Sequence, residues 1–296
     1  MMFMETEEKQ KISPFNKITR IFDDIKLAHT IFALPFALAS AHIAFNGYYD
    51  WKKLLLILVC MFTARNAAMA FNRWLDRDID TVNPRTKERS IPSGRVSANE
   101  MLAFVIINSA IFIACASLLN IMAFLLSPIA LLIVLGYSYF KRFTSWSHMV
   151  LGLSLAIAPT GAWIAVRGEF ALIPIILSLG VIFWVAGFDI IYACRDIDFD
   201  SITGLHSIPR KFGVTGALAI SFASHIVTIG LLILFGHIAG LGFIYFIMLG
   251  LIALILLIEH IIVTPSNLSM WGLAFFTLNG VVSILFYIGV LFDTIF

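Results

Sequence analysis

Charged residues are scarce in this chain of 296 residues: they make up 13% of it, while 60% of the residues are hydrophobic. Soluble domains carry roughly a quarter charged residues, so this scarcity excludes an ordinary soluble protein. The mean hydropathy of +0.95 indicates a membrane protein instead. The formal net charge is only +2. Without a basic tail or basic patch, no nucleic-acid partner is expected.

Cysteine is also scarce. The three cysteines, Cys60, Cys115 and Cys194, lie far apart in the chain, and no CxxC pair occurs. The spacing reveals neither a zinc motif nor a disulfide framework, so each cysteine is interpreted as a small apolar packing residue.

Long apolar runs account for most of the sequence. A bilayer core of roughly 30 Å requires about 20 apolar residues in a helix. The runs are too long and too uniformly apolar for barrel strands, which predicts an all-α fold. We expect a cytoplasmic N-terminal segment over residues 1–26 and one membrane-embedded domain over 27–296. The nine predicted transmembrane helices cover residues 27–45, 54–72, 101–119, 121–140, 148–166, 171–189, 214–235, 238–258 and 271–292.

Lysine and arginine are distributed unevenly between the predicted loops. With a cytoplasmic N-terminus, sixteen of the 20 fall on the cytoplasmic side, and only Lys52, Lys53 and Arg167 fall on the other. The remaining one, Arg65, lies inside the second span. Basic residues concentrate in cytoplasmic loops of membrane proteins. The N-terminus and the long polar loops are therefore predicted to face the cytoplasm.

The second span ends in an acidic stretch, NRWLDRDID at positions 72–80. Asn72, Asp76 and Asp80 are spaced by four residues, which predicts one stripe along a helix. Arg65, seven residues before Asn72, shares that stripe at greater depth in the membrane. A charge at such depth usually faces a cavity or a partner.

A second acidic stretch, GFDIIYACRDIDFD at positions 187–200, follows the sixth span. Asp189, Tyr192, Asp196 and Asp200 fall at relative positions 0, 3, 7 and 11, which again predicts one helical face. Both stripes leave the membrane on the predicted cytoplasmic side. One stripe alone is readily explained by solvated interfacial charges. Two stripes with matching spacing on the same side favour a shared site.

Like-charged stripes repel each other, so a cation is expected between them if they converge. Carboxylate and amide oxygens without histidine or cysteine favour a hard ion such as Mg²⁺, which phosphate oxygens commonly help to coordinate. Several basic residues accompany the stripes: Arg85, Lys87, Arg89, Lys141, Arg142 and Arg195. The combination predicts a site for magnesium and a diphosphate.

The two motifs resemble those of the UbiA superfamily of intramembrane prenyltransferases, NxxxDxxxD after the second helix and DxxYxxxDxxxD after the sixth. The flanking stretches NPRTKERSIPSG and SITGLHSIP and the first span, IKLAHTIFALPFALAS, are similar too. The resemblance covers essentially the whole chain. It implies nine transmembrane helices around a lateral cavity, capped by cytoplasmic loops. It also implies Mg²⁺-dependent transfer of a polyprenyl group from its diphosphate to a ring carbon of a hydroxylated aromatic acid.

The resemblance assigns roles to individual residues. The implied Mg²⁺ ligands are Asn72, Asp76, Asp80, Asp196 and Asp200. The implied catalytic carboxylates are Asp76, Asp80, Asp189, Asp196 and Asp200, with Asp189 a candidate base for the ring proton. The implied substrate-binding residues are Lys26, Asn72, Tyr137, Lys141 and Tyr192. Arg65, Lys87 and Arg142 complete the predicted substrate-binding set, as candidates that stabilise the charge of the leaving diphosphate together with Lys141. Lys26 would hold the aromatic acceptor. The chain departs from the family at Arg73, where many members carry aspartate.

The expected partners are a polyprenyl diphosphate, a small aromatic acid and the lipid bilayer, and no protein partner is predicted. The favoured acceptor is 4-hydroxybenzoate, with 1,4-dihydroxy-6-naphthoate as the alternative, in ubiquinone or menaquinone biosynthesis at a bacterial inner membrane. A cation-coupled transporter is the alternative from another class, although its carboxylates would be expected near the midplane. A silent lipid-binding scaffold is a third hypothesis, and the two intact stripes argue against it.

Overall fold

A computed structural model describes residues 14–25 and 32–296, with side chains from residue 19 onwards in the first range. In these residues the backbone is mainly helical, and the one β-type pairing is an isolated bridge between Thr264 and Asn267. The all-α prediction is confirmed. The helices are α1 (Pro14–Ile25), α2 (Leu34–Phe45), α3 (Trp51–Leu75), α4 (Arg77–Val82), α5 (Ala98–Leu119), α6 (Ile121–Phe140), α7 (Ser147–Arg167), α8 (Leu172–Ala193), α9 (Ile197–Thr203), α10 (Ile208–Ile238), α11 (Phe243–Ile262) and α12 (Asn279–Ile295).

The multi-pass architecture agrees with the sequence prediction. Eight described helical stretches are long and apolar enough to cross a membrane, the last being Leu273–Ile295, in which a π-helical segment leads into α12. At the predicted first span, α2 has only 12 residues, fewer than a membrane crossing needs. Residues 26–31, which precede the turn before α2, lie outside the described part of the chain. The expectation of nine spans therefore agrees closely with eight long helices and one shorter apolar helix.

The core is built around α8, which packs between α7 and α10. Large aromatic side chains fill the space on its inner side, among them Trp184 and Phe36, whose ring centroids are 4.9 Å apart. On the α7 side the two backbones are in direct contact. A Cβ atom at Gly152 would lie 2.3 Å from the carbonyl oxygen of Ile182, so this crossing requires glycine.

Both acidic motifs contain a break in the helix, which the sequence prediction of two continuous stripes did not include. α3 ends at Leu75, and Asp76 adopts φ −90° and ψ 5° before α4 begins. The break is stabilised because the Arg142 side chain donates a hydrogen bond to the Leu75 carbonyl, at 3.1 Å. In the second motif, α8 gives way to a 3₁₀ turn over Cys194–Asp196 before α9. The prediction of uninterrupted helical stripes was wrong.

Candidate active site

A cavity of about 830 Å³ lies among the spanning helices, and both acidic motifs line it. The remaining lining is mainly apolar. Ile129 of α6 and Leu153 of α7 line the cavity and are 54% and 41% exposed, so part of its apolar lining is accessible to solvent or lipid. The motif residues along its polar part are Asn72, Asp76, Asp80, Asp189, Tyr192, Asp196 and Asp200.

Asp76 lies at the break between α3 and α4 and is almost fully buried. It accepts hydrogen bonds from Lys141 and from Arg142, the latter at 2.8 Å. The amide of Asn72 also donates to it, at 3.1 Å. A buried carboxylate is costly unless it is paired and hydrogen-bonded. The α6–α7 connection therefore supplies the counter-charge for the first motif.

Asp80 is paired separately. Arg89, in the loop after α4, donates to both of its carboxylate oxygens, at 2.8 and 2.7 Å. This two-pronged geometry is the strong form of an ion pair. The sequence-based set of site residues did not include Arg89, although the basic run after the first motif was a signal for it.

Arg73, the position where the chain departs from the family pattern, is buried and lines the cavity. Its guanidinium donates to the Asn72 side chain at 2.9 Å and to the backbone carbonyl of Asp24 in α1 at 3.4 Å. Asp24 in turn accepts from the backbone N–H of Ser90 at 2.7 Å. Arg73 therefore orients the motif asparagine and joins it to α1.

Arg85 connects the two motifs. Its guanidinium donates to Asp196 at 3.0 Å and to the hydroxyl of Tyr192 at 3.2 Å. Arg195 approaches the other oxygen of Asp196 at 3.5 Å, and its guanidinium lies 3.9 Å from the ring centroid of Trp271. Such cation–π stacking restrains the arginine. The loops after α4 and α8 are thus held together across the polar end of the cavity.

Among the described residues, the last two carboxylates form no ion pair with lysine or arginine. Asp200 lies in α9 and lines the cavity. Asp189 lies 2.7 Å from Nδ1 of His148, a buried residue near the start of α7. His148 belongs to neither motif, and sequence analysis missed it. A weak signal was the position of SWSHMVLG, which follows the basic pair Lys141-Arg142 after the two intervening residues Phe143-Thr144.

The remaining predicted residues are placed differently. Arg65 and Tyr137 line the cavity. Arg142 contacts Asp76 but lies behind the lining. Lys87 is exposed and is not among the lining residues. Lys26 lies outside the described residues. The structure thus brings together most of the predicted set, while the roles assigned to these residues stay predictions.

The donor chemistry fits a hard divalent cation. Across the described ranges, no group of three or more histidine, cysteine, aspartate or glutamate side chains is close enough to hold a metal by itself. The candidate ligand side chains nevertheless offer carboxylate and amide oxygens, which Mg²⁺ prefers when phosphate oxygens complete its coordination. Asp76, Asp80 and Asp196 are each paired with cationic side chains. When these carboxylates bind a metal ion, the lysine and arginine side chains that now pair with them are free to contact the diphosphate instead.

The UbiA prenyltransferase family model matches residues 33–281. A 4-hydroxybenzoate octaprenyltransferase from Cupriavidus metallidurans is 30% identical over 210 residues, 71% of this chain and 70% of that protein. A solved UbiA homologue from Aeropyrum pernix, in its apo form, is 36% identical, with a TM-score of 0.82 over 90% of this chain and 98% of that one. A homologue from Archaeoglobus fulgidus bound to GPP and Mg²⁺ has the same fold at 22% identity, with a TM-score of 0.75 over 94% of this chain and 100% of that one. The predicted resemblance and enzyme class are confirmed: this chain is a membrane prenyltransferase and belongs to the UbiA prenyltransferase family.

Proposed function

We propose that this enzyme transfers a polyprenyl group from a polyprenyl diphosphate to a ring carbon of a small hydroxylated aromatic acid. One observation carries the proposal: a single cavity joins a polar end of paired carboxylates and cations to a mainly apolar part. A diphosphate matches the polar end in charge, and an isoprenoid tail matches the apolar part.

The cations at the polar end would stabilise the leaving group. Arg85, Arg89 and Lys141 all line the cavity, and each now pairs with a motif carboxylate. As the allylic C–O bond breaks, its electron pair leaves with the diphosphate. Positive groups already held in place stabilise that developing charge without much reorganisation.

The residues that would hold Mg²⁺ are Asn72, Asp76, Asp80, Asp196 and Asp200. A bound Mg²⁺ would supply further positive charge to the leaving diphosphate. The homologue from Archaeoglobus fulgidus that was solved with GPP and Mg²⁺ supports the use of a divalent metal and a prenyl diphosphate. Asn72 and Asp76, already joined by a hydrogen bond, would present adjacent amide and carboxylate oxygens.

The apolar lining would protect the reaction. Val185 and Phe188 lie on the cavity wall beside Asp189. Excluding water prevents hydrolysis of the allylic cation to an alcohol. The electron-rich ring carbon captures the cation, and the ring must then lose its proton. Asp189, by its position in this wall, is the candidate base.

The favoured acceptor is 4-hydroxybenzoate, because the curated relatives are 4-hydroxybenzoate octaprenyltransferases. The alternative is 1,4-dihydroxy-6-naphthoate, and either acid places the enzyme in ubiquinone or menaquinone synthesis at a bacterial inner membrane, with its polar loops cytoplasmic. A cation-coupled transporter has no support from the family.

The test uses purified protein in liposomes with Mg²⁺ and a polyprenyl diphosphate, and each acid is offered separately. We expect one acid to be prenylated and Asp76→Asn to reduce the rate by roughly 100-fold or more, because it removes a preorganised charge. Asp78→Asn is the matched control, since the Asp78 side chain is 86% exposed. It should retain nearly full activity.

The same preparation tests the metal. Chelation should abolish product formation, and added Mg²⁺ should restore it. Product formed equally well in the presence of a chelator would contradict the metal assignment. Prenyl diphosphate binding without any prenylated acid would contradict the acceptor class and leave the donor assignment in place.

A further inference from the structure

His148 joins three helices at the wall of the cavity. It is the second residue of α7, and its side chain is only 5% exposed. Its Nδ1 atom lies 2.7 Å from Oδ2 of Asp189, four residues before the end of α8. On the other side of the ring, Nε2 lies 3.3 Å from the backbone nitrogen of Ile208, the first residue of α10.

These two contacts assign the tautomer of the imidazole. The amide N–H of Ile208 can only donate, so Nε2 must carry the lone pair that accepts it. Amides in the first turn of a helix have no intrahelical partner, and Nε2 supplies one here. The proton of the neutral ring is therefore on Nδ1, which donates to Asp189. A second proton on Nε2 would place two N–H groups face to face.

Asp189 differs electrostatically from the other motif carboxylates. Asp76, Asp80 and Asp196 each form an ion pair with lysine or arginine. In the described part of the chain, the only ion-pair contact of Asp189 is with His148, and Oδ1 has no hydrogen-bond partner there. Within the described residues, the imidazole therefore holds this carboxylate in place without a lysine or arginine beside it.

The position of Asp189 separates it from the residues suited to diphosphate. Val185 and Phe188, its neighbours on α8, are apolar parts of the same wall. Tyr137 of α6 lines the same cavity as Asp76 and Asp189. Asp189 thus lies between the charged end and the apolar wall, where the reacting carbon of a prenyl donor and an acceptor ring would meet.

We propose that His148 is a positioning residue that holds Asp189 as the base for the acceptor ring; the inference rests on the proposed function. In this step the new bond joins the prenyl carbon to the ring carbon. The allylic C–O bond breaks, and its electron pair leaves on diphosphate. The ring C–H bond then breaks, its electrons restore aromaticity, and its proton goes to Asp189. The Nδ1–H of His148 stays in place throughout.

The experiment compares steady-state kinetics of the wild type, His148→Leu and His148→Gln in liposomes. The leucine variant removes donor and acceptor, whereas the glutamine amide retains one of each and cannot be protonated. We expect His148→Leu to lower kcat roughly 10- to 100-fold, as misplaced catalytic groups do, and to leave prenyl diphosphate binding by calorimetry unchanged. His148→Gln should restore most of the activity.

A kinetic isotope effect separates positioning from packing. With an acceptor deuterated at the ring carbon that is prenylated, the isotope effect should rise in His148→Leu, because proton removal becomes rate-limiting. His225→Leu is the control, because His225 is equally buried but contacts His260 instead of Asp189. Its isotope effect should equal that of the wild type.

Two results would overturn the inference. An unchanged isotope effect in a well-folded His148→Leu enzyme would exclude a role in proton removal and leave the prenyltransfer reaction standing. A parallel loss of prenyl diphosphate binding would assign His148 to the donor site instead. A wild type that prenylates no aromatic acid would overturn both this inference and the proposed function.

Discussion

Arg89 and Lys87 lie two residues apart in the loop after α4, yet only Arg89 reaches the cavity. Arg89 pairs with both oxygens of Asp80, whereas Lys87 is exposed. Sequence analysis selected Lys87 as a substrate ligand because both residues follow the motif in a basic run. In an irregular loop, spacing alone does not determine which side chain turns inward.

Replacing Arg89 with glutamine should weaken prenyl diphosphate binding by roughly 10- to 100-fold, the cost of losing charge-assisted hydrogen bonds of about 1.5–3 kcal/mol. Lys87→Gln is the matched control and should change the affinity far less, because exposed charges are screened by water. Isothermal titration calorimetry in detergent measures both. An equal loss for Lys87→Gln would reinstate its predicted role in the site.

Helix packing controls the distance between His148 and Asp189. α7 carries the first residue and α8 the second, and the two helices meet where Gly152 lies against the backbone of Ile182. Backbone atoms cannot rotate away as a flexible side chain can. The spacing of these two helices therefore depends on the absence of a single methyl group.

Gly152→Ala should destabilise the protein by about 1–3 kcal/mol, the usual cost of overpacking, and should lower kcat by separating the pair. Thermal unfolding in detergent should show a Tm several degrees lower. Gly250→Ala in α11 is the control, because a Cβ atom there meets nothing within 4 Å. Its Tm should stay the same or rise slightly, since alanine favours helix. An unchanged Tm for Gly152→Ala would show that the crossing can relax.

The whole molecule has two chemically different ends. The acidic motifs and the loops that pair with them lie at one end. The sequence predicts most of the lysine and arginine residues on that side. At the other end, the exposed aromatic residues Tyr48, just before α3, and Trp51, its first residue, are typical of a membrane interface. The asymmetry in lysine and arginine predicts that the active-site end faces the cytoplasm.

Cysteine labelling tests this orientation in a variant that lacks Cys60, Cys115 and Cys194. Tyr48→Cys and Ile202→Cys are matched, because the native side chains are 89% and 85% exposed. A membrane-impermeant maleimide should label Tyr48→Cys in intact spheroplasts and Ile202→Cys only after permeabilisation. The reverse pattern would invert the assigned topology.

Composition and residue spacing alone determine that this protein is an all-α membrane protein. Long apolar runs require helices, because backbone groups in lipid must be bonded within their own segment. The repeated Asn/Asp spacing predicted where two clusters of oxygen donors would leave the membrane, and both clusters line one cavity. These features are local in sequence, and local periodicity reports them directly.

Tertiary structure alone decided the partners of each carboxylate. In the folded chain Arg89, and not Lys87, pairs with Asp80. Arg85 contacts Asp196 and so links the two motifs. His148 contacts Asp189, which lies 41 residues away in the chain. Each of these contacts depends on how loops fold at helix breaks and on how closely helices cross. Packing among distant segments sets those geometries. The periodicity of a single segment carries no information about them.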